Sequence, residues 1–230
     1  MALVIVTGAS RGIGRAIALR LSRPSREMVL VGRDAAALES VAADARSRSA
    51  QALVAPADLT DAAAVAALAG ALPAGPIEAV VHNAGVAVVK PIGDVSPEEF
   101  GRSLATMVTA PFLLTRALLP RLEKGASLVH VLSIAARRGF PGWSAYCAAK
   151  FGLEGLSQSL REELRPRGVR VINVYPAATA TALWDGVTGE WPRDRMLDPA
   201  EVAEAVAYAL DRPSGVAVET IEVGDVSGAL

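Results

Sequence analysis

Tyr146 and Lys150 are the pair of residues whose types and spacing most directly suggest chemistry in this sequence. They stand four positions apart in WSAYCAAKFG, residues 143–152. On an α-helix, positions i and i+4 share a face about 6 Å apart along the axis, so the phenol and the ammonium would point the same way. A nearby cation favours the phenolate, and such a pair can exchange a proton. The same spacing is common on solvated helix surfaces, so the rest of the sequence must distinguish the two interpretations.

The composition bounds the class of protein. The 230 residues are 52% hydrophobic and 20% charged, enough to bury one core, and we expect a single domain over residues 1–230. The net charge of −1 gives no reason to expect a nucleic-acid or membrane partner. One cysteine, Cys147, and two histidines give no basis for a metal site, and we expect the thiol to be buried. We expect a cytoplasmic protein, since we find neither a signal peptide nor an apolar run of about 18 residues.

Short aliphatic runs alternate with longer helical segments along the chain. The predicted strands are residues 2–7, 28–32, 51–56, 77–82, 127–132, 169–175 and 218–223. Most are nearly continuous in Val, Ile and Leu, as in parallel sheets that are covered on both faces. Ser96 with Glu99, and Asp198 ahead of Pro199, are start signals for two helices. The pattern predicts a doubly wound α/β (Rossmann) fold, with a parallel seven-stranded sheet and helices on both faces.

The first predicted strand runs directly into the glycine-rich stretch TGASRGIG, with Thr7, Gly8, Gly12 and Gly14 at fixed offsets. A strand that turns sharply into a helix can bring its backbone close to a pyrophosphate only where no Cβ atoms intervene. The N-terminus of the following helix offers free N–H groups and the positive end of a dipole. This context favours a dinucleotide site over a purely structural turn.

Four motifs in the same order make the chain resemble the short-chain dehydrogenases/reductases over nearly all of its length. TGASRGIG resembles their cofactor loop, and HNAG, residues 82–85, resembles their Asn-Ala-Gly motif. Ser133 lies thirteen residues before Tyr146, matching their Ser…Tyr-x-x-x-Lys arrangement, and PAATAT, residues 176–181, resembles their Pro-Gly-x-x-x-Thr segment.

The resemblance implies hydride transfer between a nicotinamide cofactor and a carbonyl or alcohol carbon. Tyr146 would donate the proton, and Ser133 would hydrogen-bond the substrate oxygen. Lys150 would hold the ribose hydroxyls and, together with the positive charge of the oxidised cofactor, would lower the pKa of Tyr146. The residues implied to bind the cofactor are Gly8, Ser10, Arg11, Gly12, Ile13, Gly14, Arg33, Asp58, Leu59, Asn83, Ala84, Gly85, Tyr146, Lys150, Pro176, Thr179 and Thr181.

The segment after the second strand bears on which nicotinamide cofactor is preferred. Gly32 stands where relatives that prefer NAD carry an acid, and Arg33 follows it, while Arg11 lies in the glycine loop. Two guanidinium groups and no acid at this position favour the 2′-phosphate of NADP(H) over NAD(H). The alternative is that both arginines are solvated and Asp34 binds the ribose. Asp58 resembles the aspartate that contacts adenine in this family. It could also be a helix N-cap, and both roles could hold.

Two positions depart from the family pattern. Met107 stands where many relatives carry an asparagine that supports a water in the proton relay from the lysine. Methionine keeps the main-chain carbonyl but lacks the amide, so the relay could be re-routed, weakened or lost. Ala177 replaces the glycine of the Pro-Gly motif, which would cause strain only where the backbone needs a positive φ.

The family builds its substrate pocket from the loop before the tyrosine and from a lid, here residues 134–143 and about 182–197. These segments hold four aromatic residues, Phe140, Trp143, Trp184 and Trp191, and four arginines, Arg137, Arg138, Arg193 and Arg195. The rings favour a bulky or aromatic carbonyl substrate, unless they close the lid on itself or pack between subunits. For the arginines, surface solvation is a simpler interpretation than an anion site.

The apolar helical segments near residues 97–122 and 143–165 pair across subunits in this family, which implies a homodimer or homotetramer. An NADPH-dependent carbonyl reductase is the leading interpretation. A non-catalytic NADP(H)-binding sensor or scaffold, suggested by Met107 and Ala177, is the main alternative. A sugar-nucleotide epimerase or dehydratase also uses Tyr-x-x-x-Lys, but the glycine spacing argues against it.

Overall fold

The structure is a computed structural model that describes residues 1–48, 50–187, 189, 191–213 and 215–226. Within these residues, seven parallel strands form one sheet in the order β3-β2-β1-β4-β5-β6-β7. The strands are β1 (Ala2–Thr7), β2 (Arg26–Gly32), β3 (Gln51–Pro56), β4 (Ile77–His82), β5 (Ser127–Val131), β6 (Arg170–Pro176) and β7 (Thr220–Val223). All seven predicted strands are found, with ends that differ by at most two residues, and the predicted fold class is confirmed.

Helices cover both faces of the sheet. They are α1 (Gly12–Leu21), α2 (Ala35–Ser47), α3 (Ala62–Ala71), α4 (Pro97–Leu104), α5 (Ala110–Leu118), α6 (Ser144–Leu164) and α7 (Pro199–Leu210). One core layer joins the sheet to α1, α2 and α7, and the other joins it to α3, α5 and α6. The central strand supplies both layers: Val4 and Val6 belong to the first, and Leu3 and Ile5 to the second. This alternation explains why the strand is continuously aliphatic, because both of its faces are buried.

The order of the strands determines where a ligand can bind. The connection from β1 leads outward through β2 to β3, and the chain then returns to place β4 on the other side of β1. In open α/β sheets, this reversal leaves a crevice beyond the carboxyl ends of the two central strands. The glycine-rich stretch follows β1 and the HNAG motif spans the end of β4, so both predicted motifs lie at this crevice.

The helix starts follow the predicted signals. Ser96 accepts a hydrogen bond from the Glu99 N–H, and the Glu99 carboxylate accepts one from the Ser96 N–H, which completes a capping box. Asp198 caps α7 by accepting from the Ala200 N–H at 2.8 Å. Between α4 and α5 the helix widens into a π turn, Ala105–Thr109, with Met107 fully buried at its centre.

One helical stretch bears on the expectation about apolar segments. The helical stretch Pro97–Arg121, which spans α4 and α5, is long and apolar enough by composition to cross a membrane. Charged residues such as Glu98, Arg102 and Arg116 interrupt it, so it is not a continuous apolar run. In the structure α5 packs against α3, and α4 packs against α6. Core helices of water-soluble proteins meet the same criterion, so the stretch is weak evidence for a membrane protein.

Candidate active site

The glycine-rich turn needs its glycines for two physical reasons. Gly8 and Gly12 have φ values of 64° and 55°, in the left-handed region that side chains disfavour. At Gly14, a Cβ atom would lie 2.2 Å from the carbonyl oxygen of Gly8 and 2.5 Å from Nδ2 of Asn83. These contacts allow no side chain, so the turn can be this tight only with glycine at all three positions.

The start of α1 is suited to bind an anion. Arg11 occupies its N-cap position, and among the described residues its side chain makes no capping hydrogen bond. The first N–H groups of a helix have no intrahelical acceptor, so those of Gly12, Ile13 and Gly14 remain available to a ligand. A bare backbone and uncapped donors fit the pyrophosphate of a dinucleotide.

Thr7 and Asn83 fasten the ends of β1 and β4 together beneath this turn. The Thr7 hydroxyl donates to the carbonyl of Val81 at 3.1 Å and accepts from the N–H groups of Asn83 and Ala84 at 2.9 and 3.1 Å. Asn83 Nδ2 donates to the Thr7 carbonyl at 3.0 Å. The Asn83 amide therefore supports the glycine turn, and its direct contact with the cofactor stays a prediction.

Two aspartates near the end of β2, Asp34 and Asp58, make different hydrogen bonds in the structure. Asp34 caps α2 by accepting from the Ala37 N–H at 3.0 Å, which argues against the alternative that it binds the ribose. Arg33 is exposed beside it. Hydrogen bonds from Thr60, assisted by the nearby Arg33 charge, lower the pKa of Asp58.

The alternative interpretation of Asp58 as a helix N-cap was wrong. The N-cap of α3 is Asp61, which accepts from the Ala63 N–H at 2.8 Å, whereas Asp58 closes a local turn by accepting from the Thr60 N–H and hydroxyl. Both aspartates precede the helix within four residues, so composition alone could not show which one caps it. The predicted contact of Asp58 with adenine is left as a prediction.

The remaining predicted cofactor residues lie beside or beneath the turn. The Ala84 Cα would be 2.9 Å from a Cβ at Gly8, so the two backbones touch. Gly85 lies over Met107, whose sulfur would be 3.5 Å from a Cβ at that position. Ser10 is partly exposed, whereas Leu59 is buried in the core layer of α3 and α5. The predicted contact of Leu59 with the cofactor stays a prediction.

The three predicted catalytic residues come from two elements. Ser133 follows β5 and caps the short 3-10 turn Ile134–Ala136, where its oxygen accepts from the Ala135 N–H at 3.1 Å. Tyr146 and Lys150 lie one turn apart on α6, as their spacing predicts. Lys150 Nζ donates to the carbonyl of Val131 at 2.8 Å and lies 5.6 Å from the centre of the Tyr146 ring.

Burial dominates the electrostatics of this group in the protein alone. Burial raises the pKa of Tyr146 to about 12, although a hydrogen bond with Ser133 acts in the opposite direction. Burial also lowers the pKa of Lys150 to about 8, since its side chain is only 4% exposed. In the protein alone, desolvation therefore dominates the pKa of Tyr146. The expectation that Lys150 and the oxidised cofactor together lower this pKa concerns the cofactor-bound protein and stays a prediction.

Ser133 and Tyr146 line one cavity of about 270 Å³. Its walls bring together the two segments predicted to form the substrate pocket with part of the predicted cofactor site: Ile13, Ser133, Arg138, Phe140, Trp143, Tyr146, Pro176, Thr179, Thr181, Trp184 and Trp191 are among its residues. A larger open hollow, about 540 Å³, lies between α1 and α7, but Ser133, Tyr146 and Lys150 are not part of it. The smaller cavity is therefore the candidate active site.

The chain's three tryptophans meet in this cavity. The ring centres of Trp143 and Trp184 are 5.6 Å apart, those of Trp184 and Trp191 are 4.7 Å apart, and Trp143 also packs edge-on to Tyr146 at 5.3 Å. Trp184 is anchored by its indole N–H, which donates to the carbonyl of Thr179 at 2.8 Å. The rings thus close part of the lid on itself and line the cavity at once. Thr188 and Glu190 of the predicted lid lie outside the described residues.

The segment after β6 connects the lid to the glycine turn. Thr181 caps the 3-10 turn Ala182–Gly186, and its Cγ2 would be 3.1 Å from a Cβ at Gly12. Ala177, the departure from Pro-Gly, donates from its N–H to the carbonyl of Val223 at 2.8 Å and so extends the pairing of β6 with β7. This segment therefore uses Ala177 as a continuation of a strand.

Within the described part of the chain, no group of three or more His, Cys, Asp or Glu side chains is arranged to hold a metal ion. Residues 2–190 match the family described as short chain dehydrogenase. The match spans most of the chain, and the protein belongs to this family of oxidoreductases.

Relatives and solved structures agree with this assignment. The chain is 34% identical to a sepiapterin reductase of Chlorobaculum tepidum, over 98% of this chain and 97% of the relative. It is similar to an alcohol dehydrogenase of Thermococcus sibiricus in complex with 5-hydroxy-NADP, with a TM-score of 0.90, 28% identity and coverage of 98% and 97% of the two chains. A metagenomic short-chain oxidoreductase in complex with NADP matches with a TM-score of 0.85, 31% identity and the same coverage.

Proposed function

We propose that this protein is an NADPH-dependent carbonyl reductase that acts on a bulky or aromatic ketone or aldehyde. The observation that carries the proposal is the shared cavity, which Ser133 and Tyr146 line together with Ile13 of the uncapped glycine turn. A carbonyl compound in this cavity would lie against both the proton donor and the start of α1. The reductase and dehydrogenase names of the relatives support the same class of reaction.

The mechanism follows from the protonation states. When bound, NADPH supplies the hydride that the carbonyl carbon gains. Tyr146, whose pKa is about 12, keeps its proton at neutral pH and gives it to the carbonyl oxygen as that oxygen gains charge. Ser133 hydrogen-bonds the same oxygen and stabilises the charge. The phenolate that remains is stabilised by the Lys150 ammonium on the adjacent helical turn and regains a proton from solvent.

Three observations support NADPH over NADH. Gly32 provides no carboxylate at the end of β2, Asp34 is occupied as a helix cap, and Arg33 and Arg11 lie at the crevice without an ion pair among the described residues. Guanidinium groups match the geometry of a phosphate. Two of the solved relatives bind NADP or a derivative of it.

A homo-oligomer is part of the proposal. Phe100, Phe112 and Phe151 are 37%, 44% and 46% exposed on α4, α5 and α6, which share one side of the sheet. Large exposed rings on neighbouring helices are typical of subunit interfaces. We propose that a second copy of the chain covers them.

The proposal is tested by following NADPH consumption with a panel of aryl and alkyl ketones, diketones and quinones. We expect turnover by the unmodified protein and a loss of at least about 100-fold in Tyr146→Phe, the range for a general acid. Affinity for NADPH, measured by fluorescence titration, should stay within a few-fold in the variant. Turnover that survives in Tyr146→Phe would contradict the assignment. Tight NADPH binding without turnover across the panel would favour the sensor interpretation.

A further inference from the structure

Of the four arginines near the cavity, Arg138 differs from the other three in its surroundings. Arg137 pairs with Glu222 at 2.9 Å and lies over the Tyr175 ring. Arg193 pairs with Asp185 at 2.8 Å and donates to the carbonyl of Thr181. Arg195 is exposed and is not part of the cavity wall. Arg138 is part of that wall, and among the described residues no carboxylate pairs with it.

The loop holds Arg138 in place at the cavity. The main-chain N–H of Arg138 donates to the carbonyl of Ile134 at 3.2 Å, which ties the residue to the turn that begins at Ser133. Its guanidinium lies over the Phe140 ring, 4.9 Å from the centre, and both side chains line the cavity. A cation stacked on an aromatic ring keeps its hydrogen-bond donors free at the edge of the guanidinium plane.

The charge of Arg138 is not balanced inside the cavity. No Asp, Glu or Lys is part of the wall as far as the described residues show, and most other wall residues are aromatic, aliphatic or threonine and serine hydroxyls. Arg138 is exposed, so water partly screens its charge, and the hydrogen-bond geometry of its guanidinium must supply the recognition of a ligand. The wall therefore combines an aromatic surface, a proton donor and one cation.

We propose that Arg138 is a specificity-determining residue that binds a carboxylate of the substrate, so that the preferred substrates are aryl ketones or aldehydes with a carboxylate group. The inference rests on the proposed reductase function and deepens it. The carboxylate accepts hydrogen bonds from the guanidinium while the aryl body lies against the tryptophans and the carbonyl oxygen meets Tyr146. Arginine is suited to this task because its fork of N–H donors can hold both oxygens of a carboxylate.

The test compares matched pairs of substrates: 4-acetylbenzoate and 3-acetylbenzoate, each with its methyl ester. We expect the unmodified protein to prefer the acids. In Arg138→Gln the acid-to-ester ratio of kcat/KM should fall by roughly tenfold or more, the value of a charge-assisted hydrogen bond, and mainly through KM. Arg138→Lys should keep part of the preference for the acids, because it keeps the positive charge. Arg137→Gln is the matched control, since the neighbouring arginine is outside the cavity wall, and it should keep the ratio.

Reversing the charge at Arg138 gives a second test. Arg138→Glu should lower the rate with both acids and raise the relative rate with a cationic substrate, 4-acetyl-N,N,N-trimethylanilinium. A ratio that is the same in the unmodified protein and in Arg138→Gln would overturn the inference while leaving the reductase function standing. An equal loss with acids and esters would do so as well, because it would indicate a merely structural role.

Binding of the acid and of the ester can also be measured without turnover. All three tryptophans line the cavity, so quenching of intrinsic fluorescence by 4-acetylbenzoate or by its ester reports occupancy directly. If no substrate is reduced but the acid still binds more tightly than the ester, and Arg138→Gln abolishes that difference, the carboxylate site is supported and the proposed reaction fails. If acid and ester bind alike in the unmodified protein, the site fails whatever the turnover shows.

Discussion

Lys150 donates its hydrogen bond to the main-chain oxygen of Val131, so the ammonium is fixed at the carboxyl end of β5. Ser133 lies two residues beyond that point, and Tyr146 is one turn back along α6. The sheet and the helix thus share the task of positioning the three predicted catalytic side chains. The cost of this position is desolvation, which acts on the lysine and the tyrosine together.

The pH dependence of ketone reduction should report Lys150. Because its pKa is lowered to about 8, the ammonium is present below that pH and is lost above it, so kcat/KM should fall as the pH rises through about 8. Tyr146, with a pKa of about 12, keeps its proton throughout this range. In Lys150→Arg the charge persists, and the falling limb should move to higher pH. If kcat/KM of Lys150→Arg still falls at the same pH as in the unmodified protein, another group is responsible for the fall.

The preference for NADPH should respond to a single substitution at Gly32. The nearest atom to a Cβ there would be in Leu38, at an ordinary contact distance of 3.5 Å, so an aspartate can be accommodated. Its carboxylate would repel the 2′-phosphate and could bind a ribose 2′-hydroxyl. We expect Gly32→Asp to lower the NADPH-to-NADH ratio of kcat/KM by at least about tenfold, the effect of roughly 1.4 kcal/mol.

Asp34→Asn is the matched control for that experiment. Asp34 caps α2, so the substitution can change stability but should keep the cofactor ratio. A large shift toward NADPH in Asp34→Asn would instead support the alternative in which Asp34 binds the ribose.

The sequence predicted the features that depend on local pattern. Continuous aliphatic runs identified the strands because both faces of the sheet are buried, and the offsets of Gly8, Gly12 and Gly14 identified a turn that allows no side chains. Properties that depend on packing were not predicted. The pKa of Tyr146 follows from its desolvation in the folded chain, and spacing alone indicates only its neighbour Lys150.

The sequence also could not predict which side chains from distant segments meet at the cavity. Trp143 and Trp184 come from loops about forty positions apart, and only the fold shows that their rings meet and that Trp143 also packs edge-on to Tyr146. Arg137 and Arg138 are adjacent, and their positions in the sequence do not show which of them lines the cavity. The structure separates them because one reaches Glu222 and the other reaches the cavity.

Met107 offers a test of the altered relay position. It is fully buried in the π turn, so Met107→Asn places an amide in the core and should lower the free energy of unfolding by about 1–3 kcal/mol where the amide lacks partners. The activity of the folded fraction should be equal or raised. Met107→Leu, which keeps the site apolar, should cost less than about 1.5 kcal/mol. A large loss of kcat in folded Met107→Asn would mean that the side chain at position 107 has its own role, and normal turnover in Met107→Leu would identify that role as apolar packing.

The tryptophan cluster should control selectivity for aromatic substrates. Trp184→Ala removes a ring that contacts Trp143 and Trp191 and lines the cavity. Since an aromatic pair contributes about 0.5–1.5 kcal/mol, the aryl-to-alkyl ratio of kcat/KM should fall roughly two- to tenfold. Tyr208→Ala removes an exposed ring on α7 outside the cavity wall and serves as the control. Unchanged selectivity in Trp184→Ala would count against an aromatic pocket.

The exposed rings of α4, α5 and α6 predict the assembly state. Phe112 is 44% exposed on α5, and a carboxylate at that position inside an apolar interface would be buried without a partner. We expect sedimentation velocity at micromolar concentration to show a dimer or tetramer for the unmodified protein, and a monomer for Phe112→Glu with an unchanged circular dichroism spectrum. Phe112→Leu keeps the surface apolar and should keep the oligomer. A monomer in the unmodified protein would leave these rings without the proposed partner, and an oligomer that persists in Phe112→Glu would place the interface on another face.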